Sequence, residues 1–285
     1  MENVKYPHYL STIFDTKIIR NLINGAGISE VNKILKTTEF PINKKSKLID
    51  KYDAVYDYLL KNYRNEYVFK NTIINKILLG KHSLTTSTAF NEFQVFGCKL
   101  DLLVLNGKSK AYEIKTKYDN FSRLKIQLET YLKFFDEVYV VLDEQTYSED
   151  SNMLSSLNDR IGILVFTQKN NLSNKKKAKS NTKFIKSENM VSLLRKDEYL
   201  DIIKSSFGKD LSDIPNTKIY DIAKQWFAKF DGQKAHQLTI EKLKFRKQYI
   251  KESRKIIETA PVSIKNLLIN NTSVEDLSKL SALFQ

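Results

Sequence analysis

KLDLLVLNGKSKAYEIKTKYDNFSRLKIQLETY, from Lys99 to Tyr131, is the stretch on which the fold turns. Leu100, Leu102 and Val104 alternate with Asp101, Leu103 and Leu105 up to Asn106-Gly107, which predicts a strand entering a tight hairpin with an acid inside it. After the turn, Ala111-Tyr112-Glu113-Ile114-Lys115 resumes in strand-like composition. A two-residue side-chain period puts Glu113 and Lys115 on one face and Ile114 on the other. Two carboxylates and an ammonium are therefore expected to converge across neighbouring strands. The helix expected next, from about Asn120, carries Phe121, Leu124, Leu128, Tyr131, Leu132 and Phe135 as its apolar stripe, with Tyr131 read as core. It returns the chain to a parallel strand at Val138 to Leu142.

Placing two carboxylates side by side is costly unless each is paired or holds a metal. Hard oxygen ligands with no histidine or thiol nearby suit Mg²⁺ or Mn²⁺, which keep several waters and take one or two carboxylates plus a phosphate oxygen. This chemistry points to phosphodiester hydrolysis, with Lys115 orienting the attacking water and steadying developing negative charge. The competing reading is an edge-strand ion pair of Glu113 with Lys115 or Lys99, because a lysine-rich chain yields E-x-K triplets by chance.

The longer pattern is more specific: E-I-K at 113 to 115, then Asp119-x-x-x-Arg123-Leu124-x-x-Gln127-x-x-x-Tyr131. Through it, and through element order over roughly residues 64 to 167, the sequence resembles the PD-(D/E)XK nuclease superfamily and a poorly characterised bacterial group with that spacing. The resemblance implies metal binding by Asp101 and Glu113, Lys115 as the catalytic lysine, and Gln127 supporting the site from the following helix. It also offers Glu66, on the helix before the strands, or Glu92, in AFNEFQVF, as a further metal ligand. Two departures stand out. Leu100 precedes the first acid where the superfamily often has proline, and Lys99 stands where the closer group tends to have arginine, which keeps charge for a phosphate but loses the bidentate fork.

Working outward, 285 residues suffice for one large domain or two modest ones. A hydrophobic fraction of 41% with only 8 Gly and 4 Pro favours a helix-rich globular chain over disorder. The net charge of +14 suggests an anionic partner, nucleic acid most simply, DNA ahead of RNA. The lone Cys98 fits a reducing cytoplasm, and no apolar run approaches a membrane span or a signal peptide. His8, His82 and His236 lack metal-ligand spacing, and neither a Gly-rich phosphate loop nor a Ser-His-Asp set is visible.

The expected organisation is α/β: a restriction-endonuclease-like αβββαβ core with a mixed sheet at 63–186, preceded by a helical region at 1–62 and followed by another at 187–285. Within it, Gln168 to Lys186 holds seven lysines and no acid and reads as a mobile loop. Beside a cleft, Lys175, Lys176 and Lys177, with Lys99 and Arg123, would meet a nucleic-acid backbone. The functional expectation is a Mg²⁺-dependent nuclease, in defence or mobile-element biology, with a homo-oligomer or a regulatory protein as compatible partners. Two alternatives stand beside it: a silent nucleic-acid-binding or assembly protein of the same fold, and an effector that cuts only when a partner triggers it.

Overall fold

The computed structural model describes residues 4–80, 84–270 and 273–285, apart from the side chains of Ser151 and Tyr249; His82 lies outside them. The chain divides into two compact units. One joins 1–85 to 249–285, and the other is the continuous segment 86–248. This division cuts across the three consecutive regions expected from sequence order.

The first unit is helical. After a short helix at Pro7–Ser11 and a 3₁₀ turn at Thr12–Phe14 come α1 (Thr16–Ile23), α2 (Gly27–Thr37), α3 (Leu48–Asn62) and α4 (Glu66–Ile73), the last running on as a π-helical turn over Ile74–Leu79. Tyr52 on α3 is fully buried, and its hydroxyl donates to the Ile13 carbonyl at 2.7 Å. Helix α4 was expected to be the first helix of the sheet core. It packs instead on the chain's last segment: Asn71 Nδ2 donates to the Val262 carbonyl at 2.7 Å, and Tyr67 donates to the Ser263 carbonyl at 2.6 Å.

The second unit is built on one six-stranded mixed sheet: β1 (Thr88–Val95), β2 (Cys98–Asn106), β3 (Lys108–Lys115), β4 (Glu137–Asp143), β5 (Gly162–Phe166) and β6 (Leu172–Lys176), in that spatial order. The first three form an antiparallel meander because their connections are too short for anything else. Phe96 and Gly97 both have positive φ, as a two-residue hairpin with the right twist requires, and Gly107 at φ 63° makes the second turn. Helix α5 (Leu124–Tyr131) then carries the chain across to β4, which runs parallel to β3. All seven residues of β4 are buried, as befits a central strand covered on both faces. Two short helices, α6 (Glu144–Glu149) and α7 (Ser151–Ser155), lead to β5, parallel to β4.

The segment expected to be a mobile loop is different: Leu172–Lys176 is β6, antiparallel to β5 at the edge of the sheet. Its backbone supplies the pairing while its lysines stay at the surface, a way for an edge strand to remain soluble. A 3₁₀ segment (Ser187–Leu193) stands where a helix was expected, followed by α8 (Lys196–Phe207), α9 (Asn216–Phe227) and α10 (Gly232–Phe245). Met190, Val191, Ile203, Phe227 and Leu243 share one core with Leu103, Val138, Val140 and Leu128. The residues after 187 up to 248 thus belong with the sheet rather than to a separate region.

The helical unit closes with α11 (Lys265–Asn270) and α12 (Val274–Leu283); Asn71 Oδ1 on α4 accepts the Asn266 N–H at 3.0 Å. No helix among the described residues is long and apolar enough to cross a membrane.

Candidate active site

Leu103 faces Ala111 across the β2–β3 ladder, and the same register carried two residues further sets Asp101 opposite Glu113. The ladder itself stops one pair earlier, at Leu102 and Tyr112. There the backbone N–H of Ile114 donates to Asp101 Oδ2 at 2.6 Å, so the carboxylate takes up a main-chain donor at the point where strand pairing ends. Period-two alternation keeps Asp101, Glu113 and Lys115 on one face, the face covered by α5.

Glu113 is 1% exposed. Its Oε1 lies 3.1 Å from Lys115 Nζ, and its Oε2 accepts a hydrogen bond from Tyr131 at 3.0 Å. Tyr131 sits on the last turn of α5, where its ring packs in the core and its hydroxyl reaches the sheet. Burial pushes the phenol well above its ordinary pKa, and the negative charges of Glu113 and Asp101 push it the same way, so it remains a hydrogen-bond donor. Gln127, one turn earlier on α5, shares this flank. Its Oε1 is buried and accepts no hydrogen bond from the protein. A buried acceptor left without a protein donor calls for a water.

Lys115 has a side chain only 13% exposed, which places its ammonium at the rim of the buried cluster rather than in solvent. The loop leaving it is pinned by Asp119, whose Oδ2 accepts from both the N–H and the hydroxyl of Thr116 at 2.7 Å each. Conserving that loop shape sets where α5 begins and hence where Gln127 and Tyr131 point.

The other candidates are engaged otherwise. Glu92 has φ 54°, is half-exposed and is ion-paired to Lys99. It stands beside Asp101 in register but would have to leave Lys99 to act as a ligand. Glu66 occupies the first turn of α4 in the helical unit, paired with the buried Lys70 one turn on, beneath an N-cap in which Asn65 accepts from Val68. Arg123 is exposed just before α5, and Lys175, Lys176 and Lys177 lie on or just after edge strand β6. Among the described residues, no group of three His, Cys, Asp or Glu side chains converges to hold a metal. The oxygen donors on this face are the carboxylates of Asp101 and Glu113, with Gln127 on the helix that covers it, and so small a set would suit a cation that keeps most of its waters, as Mg²⁺ does.

Sequence reasoning missed two things. One is the Tyr131 hydroxyl as a partner of Glu113; its four-residue spacing from Gln127 was the available signal. The other is a second buried polar cluster. Ser109 Oγ and His236 Nε2 are 2.7 Å apart, and Ser109 Oγ also accepts the Asp136 N–H at 2.9 Å. Asp136 Oδ1 in turn accepts the Asn181 N–H at 3.2 Å. Burial lowers the His236 pKa to about 4, although the Asp136 charge opposes the shift. Serine, histidine and aspartate meet here, but Ser109 is completely buried and the cluster acts as a fastening between strand ends and α10.

Compared with known proteins, residues 60–281 match the family model for bacteriophage P4 protein cII. The chain is 33% identical over 136 residues to protein cII of Enterobacteria phage P4, a stretch that spans 47% of this chain and about half (48%) of that relative. Among solved structures, a protein of unknown function from Silicibacter pomeroyi (SPO1766) aligns over 39% of this chain and 68% of its own, at 15% identity and a TM-score of 0.30.

Proposed function

The chain belongs to the bacteriophage P4 protein cII family, and from that premise and the geometry of its sheet we propose that it is a metal-dependent nuclease of the PD-(D/E)XK type, acting on DNA. The observation that carries the reading is the convergence of Asp101, Glu113 and Lys115 on one face where β2 and β3 stop pairing. The phage source of the relative favours the mobile-element setting over a housekeeping one.

Asp101 and Glu113 would hold Mg²⁺ or Mn²⁺, with Gln127 Oε1 accepting from its hydration shell. When bound, such an ion lowers the pKa of a water and neutralises charge on a phosphate. The chain's own residues do the rest. Tyr131 fixes the rotamer of Glu113 by its hydrogen bond, so the carboxylate costs little reorganisation when a ligand arrives. Lys115 offers a donor at the rim, where it orients a water and steadies negative charge on a phosphate oxygen. Neither job demands that the lysine be deprotonated.

The second reading, a silent nucleic-acid-binding protein, is favoured by one observation: both Glu113 oxygens are already engaged by protein groups. The two readings separate in a cleavage assay. Purified protein should nick supercoiled plasmid in Mg²⁺ or Mn²⁺, and Asp101→Asn and Lys115→Ala should each reduce nicking by at least about 10²-fold, the scale of a lost acid–base or electrostatic contribution. Nicking that survives both changes removes this site. Binding of DNA with no nicking, together with no calorimetric Mg²⁺ or Mn²⁺ binding in the wild type, establishes the silent reading instead.

A further inference from the structure

At the β6 edge of the sheet a cleft of about 520 Å³ is lined by Tyr147, Leu154, Leu157, Ile163, Lys175 and Lys176. Its size falls within the range of sites that hold one small aromatic ligand. The Lys175 ammonium lies 5.7 Å from the centre of the half-buried Tyr147 ring, so a ring face and a cation border the same space.

The arrangement repeats a few residues along the same edge. After β6 the chain keeps to the start of β5, with the Lys179 N–H donating to the Arg160 carbonyl at 3.0 Å. The Arg160 guanidinium lies 3.4 Å over the Phe184 ring, which is nevertheless 56% exposed. Lys177 and Lys183 are both exposed, Lys183 directly before Phe184 in the chain. Asp159 also lines the cleft, but it is ion-paired with Lys179 at 2.7 Å and so leaves the excess positive charge of the strip standing.

We propose that this edge is a binding track for single-stranded nucleic acid, with one base seated in the cleft against Tyr147, a second stacked on Phe184, and the phosphates between them on Lys175, Lys176 and Lys177. Alternating aromatic platforms and cations are the pattern that holds unpaired strands without reading sequence. A duplex has its base faces already stacked and would use only the lysines. A free mononucleotide would fill the cleft and leave the second platform and the outer lysines idle. The track needs no metal and does not rest on the hydrolytic reading.

The test is fluorescence anisotropy of a 5′-labelled oligo(dT) 20-mer with the full chain in EDTA, which stops cleavage and leaves binding. Phe184→Ala and Tyr147→Ala should each weaken single-strand binding about tenfold, and Tyr147→Phe should leave it unchanged. Combined Lys175→Glu and Lys176→Glu should weaken it further, and the salt dependence should flatten. Phe184 is a surface ring, so its removal reports on stacking without threatening the core. Unchanged affinity in Phe184→Ala overturns the proposal. So does a duplex of the same length that binds as tightly as the single strand, which would reduce the strip to plain electrostatics. Competition by dTMP as effective as that of oligo(dT), at equal nucleotide concentration, would make the cleft a free-nucleotide site and equally end it.

Discussion

Tyr131 ties helix to sheet through a single hydroxyl, and its removal tests that tie directly. In Tyr131→Phe the ring keeps its packing, but Glu113 Oε2 loses the donor that lies 3.0 Å away in the wild type. A buried carboxylate oxygen left without its partner costs about 1–3 kcal/mol. Urea unfolding should show a loss of that size with an unchanged m-value, and an unchanged midpoint would mean that the hydroxyl does nothing for the fold. The acids at 101 and 113 and the lysine at 115 were legible because strands have a strict two-residue period and the hairpin at Asn106-Gly107 fixes the register. Tyr131 read as core for a sound reason: its ring is core, and only the tertiary fold shows where a phenol at the end of a helix points. Glu92 and, just behind it, Glu66 were offered in sequence as a further ligand, yet each is paired with a lysine, Lys99 or Lys70. Spacing cannot tell a ligand from half of a local ion pair.

At the scale of elements, β2, β3 and β4 were legible because they are largely buried and stand out as apolar runs. Strand β6 was not, because it sits at the edge and is held by its backbone. Its tight packing shows at Gly162 on β5, where a Cβ would lie 2.3 Å from the Tyr139 ring and 2.7 Å from the Ala178 nitrogen. Gly162→Ala should therefore destabilise the protein by about 1–3 kcal/mol through overpacking. Hydrogen exchange should show protection lost first at 172–179, and equal protection there in both proteins would contradict this packing. Helix α10 is fastened differently, through His236 to Ser109. Because burial holds the folded-state pKa of His236 at about 4 against 6.5 for the exposed group, the unfolded chain takes up a proton first as pH falls. Stability from this group is complete above about pH 6.5 and is lost between there and about pH 4, up to roughly 3 kcal/mol in all. Unfolding free energies across that window should fall less steeply in His236→Asn than in the wild type, and identical slopes would refute the assignment.

For the whole molecule, the decisive fact is that the sheet unit is one continuous segment, 86–248, lying in the sequence between the two stretches that make up the helical unit. Sequence order suggested a break near 186, where the lysine-rich stretch gives way to helical periodicity. Periodicity shows that a helix has an apolar face but not which surface covers it, so the partner of α8 to α10 could not be read. Their residues Ile203, Phe227 and Leu243 share a core with Leu103, Val138 and Val140 of the sheet. A fragment ending at 186 would strip that cover from one face of the sheet and expose a contiguous apolar surface, the usual cause of aggregation. A fragment of 86–248 keeps both sides of its core and the His236 fastening. It should be soluble and melt in a single cooperative transition by far-ultraviolet circular dichroism, whereas 63–186 should precipitate or melt without cooperativity. If 63–186 melts cooperatively and 86–248 does not, the shared core is the wrong account of this chain. If the longer fragment folds, it also isolates Asp101, Glu113, Lys115, Gln127 and Tyr131 from residues 1–85. Any metal binding it retains would then need no ligand from Glu66.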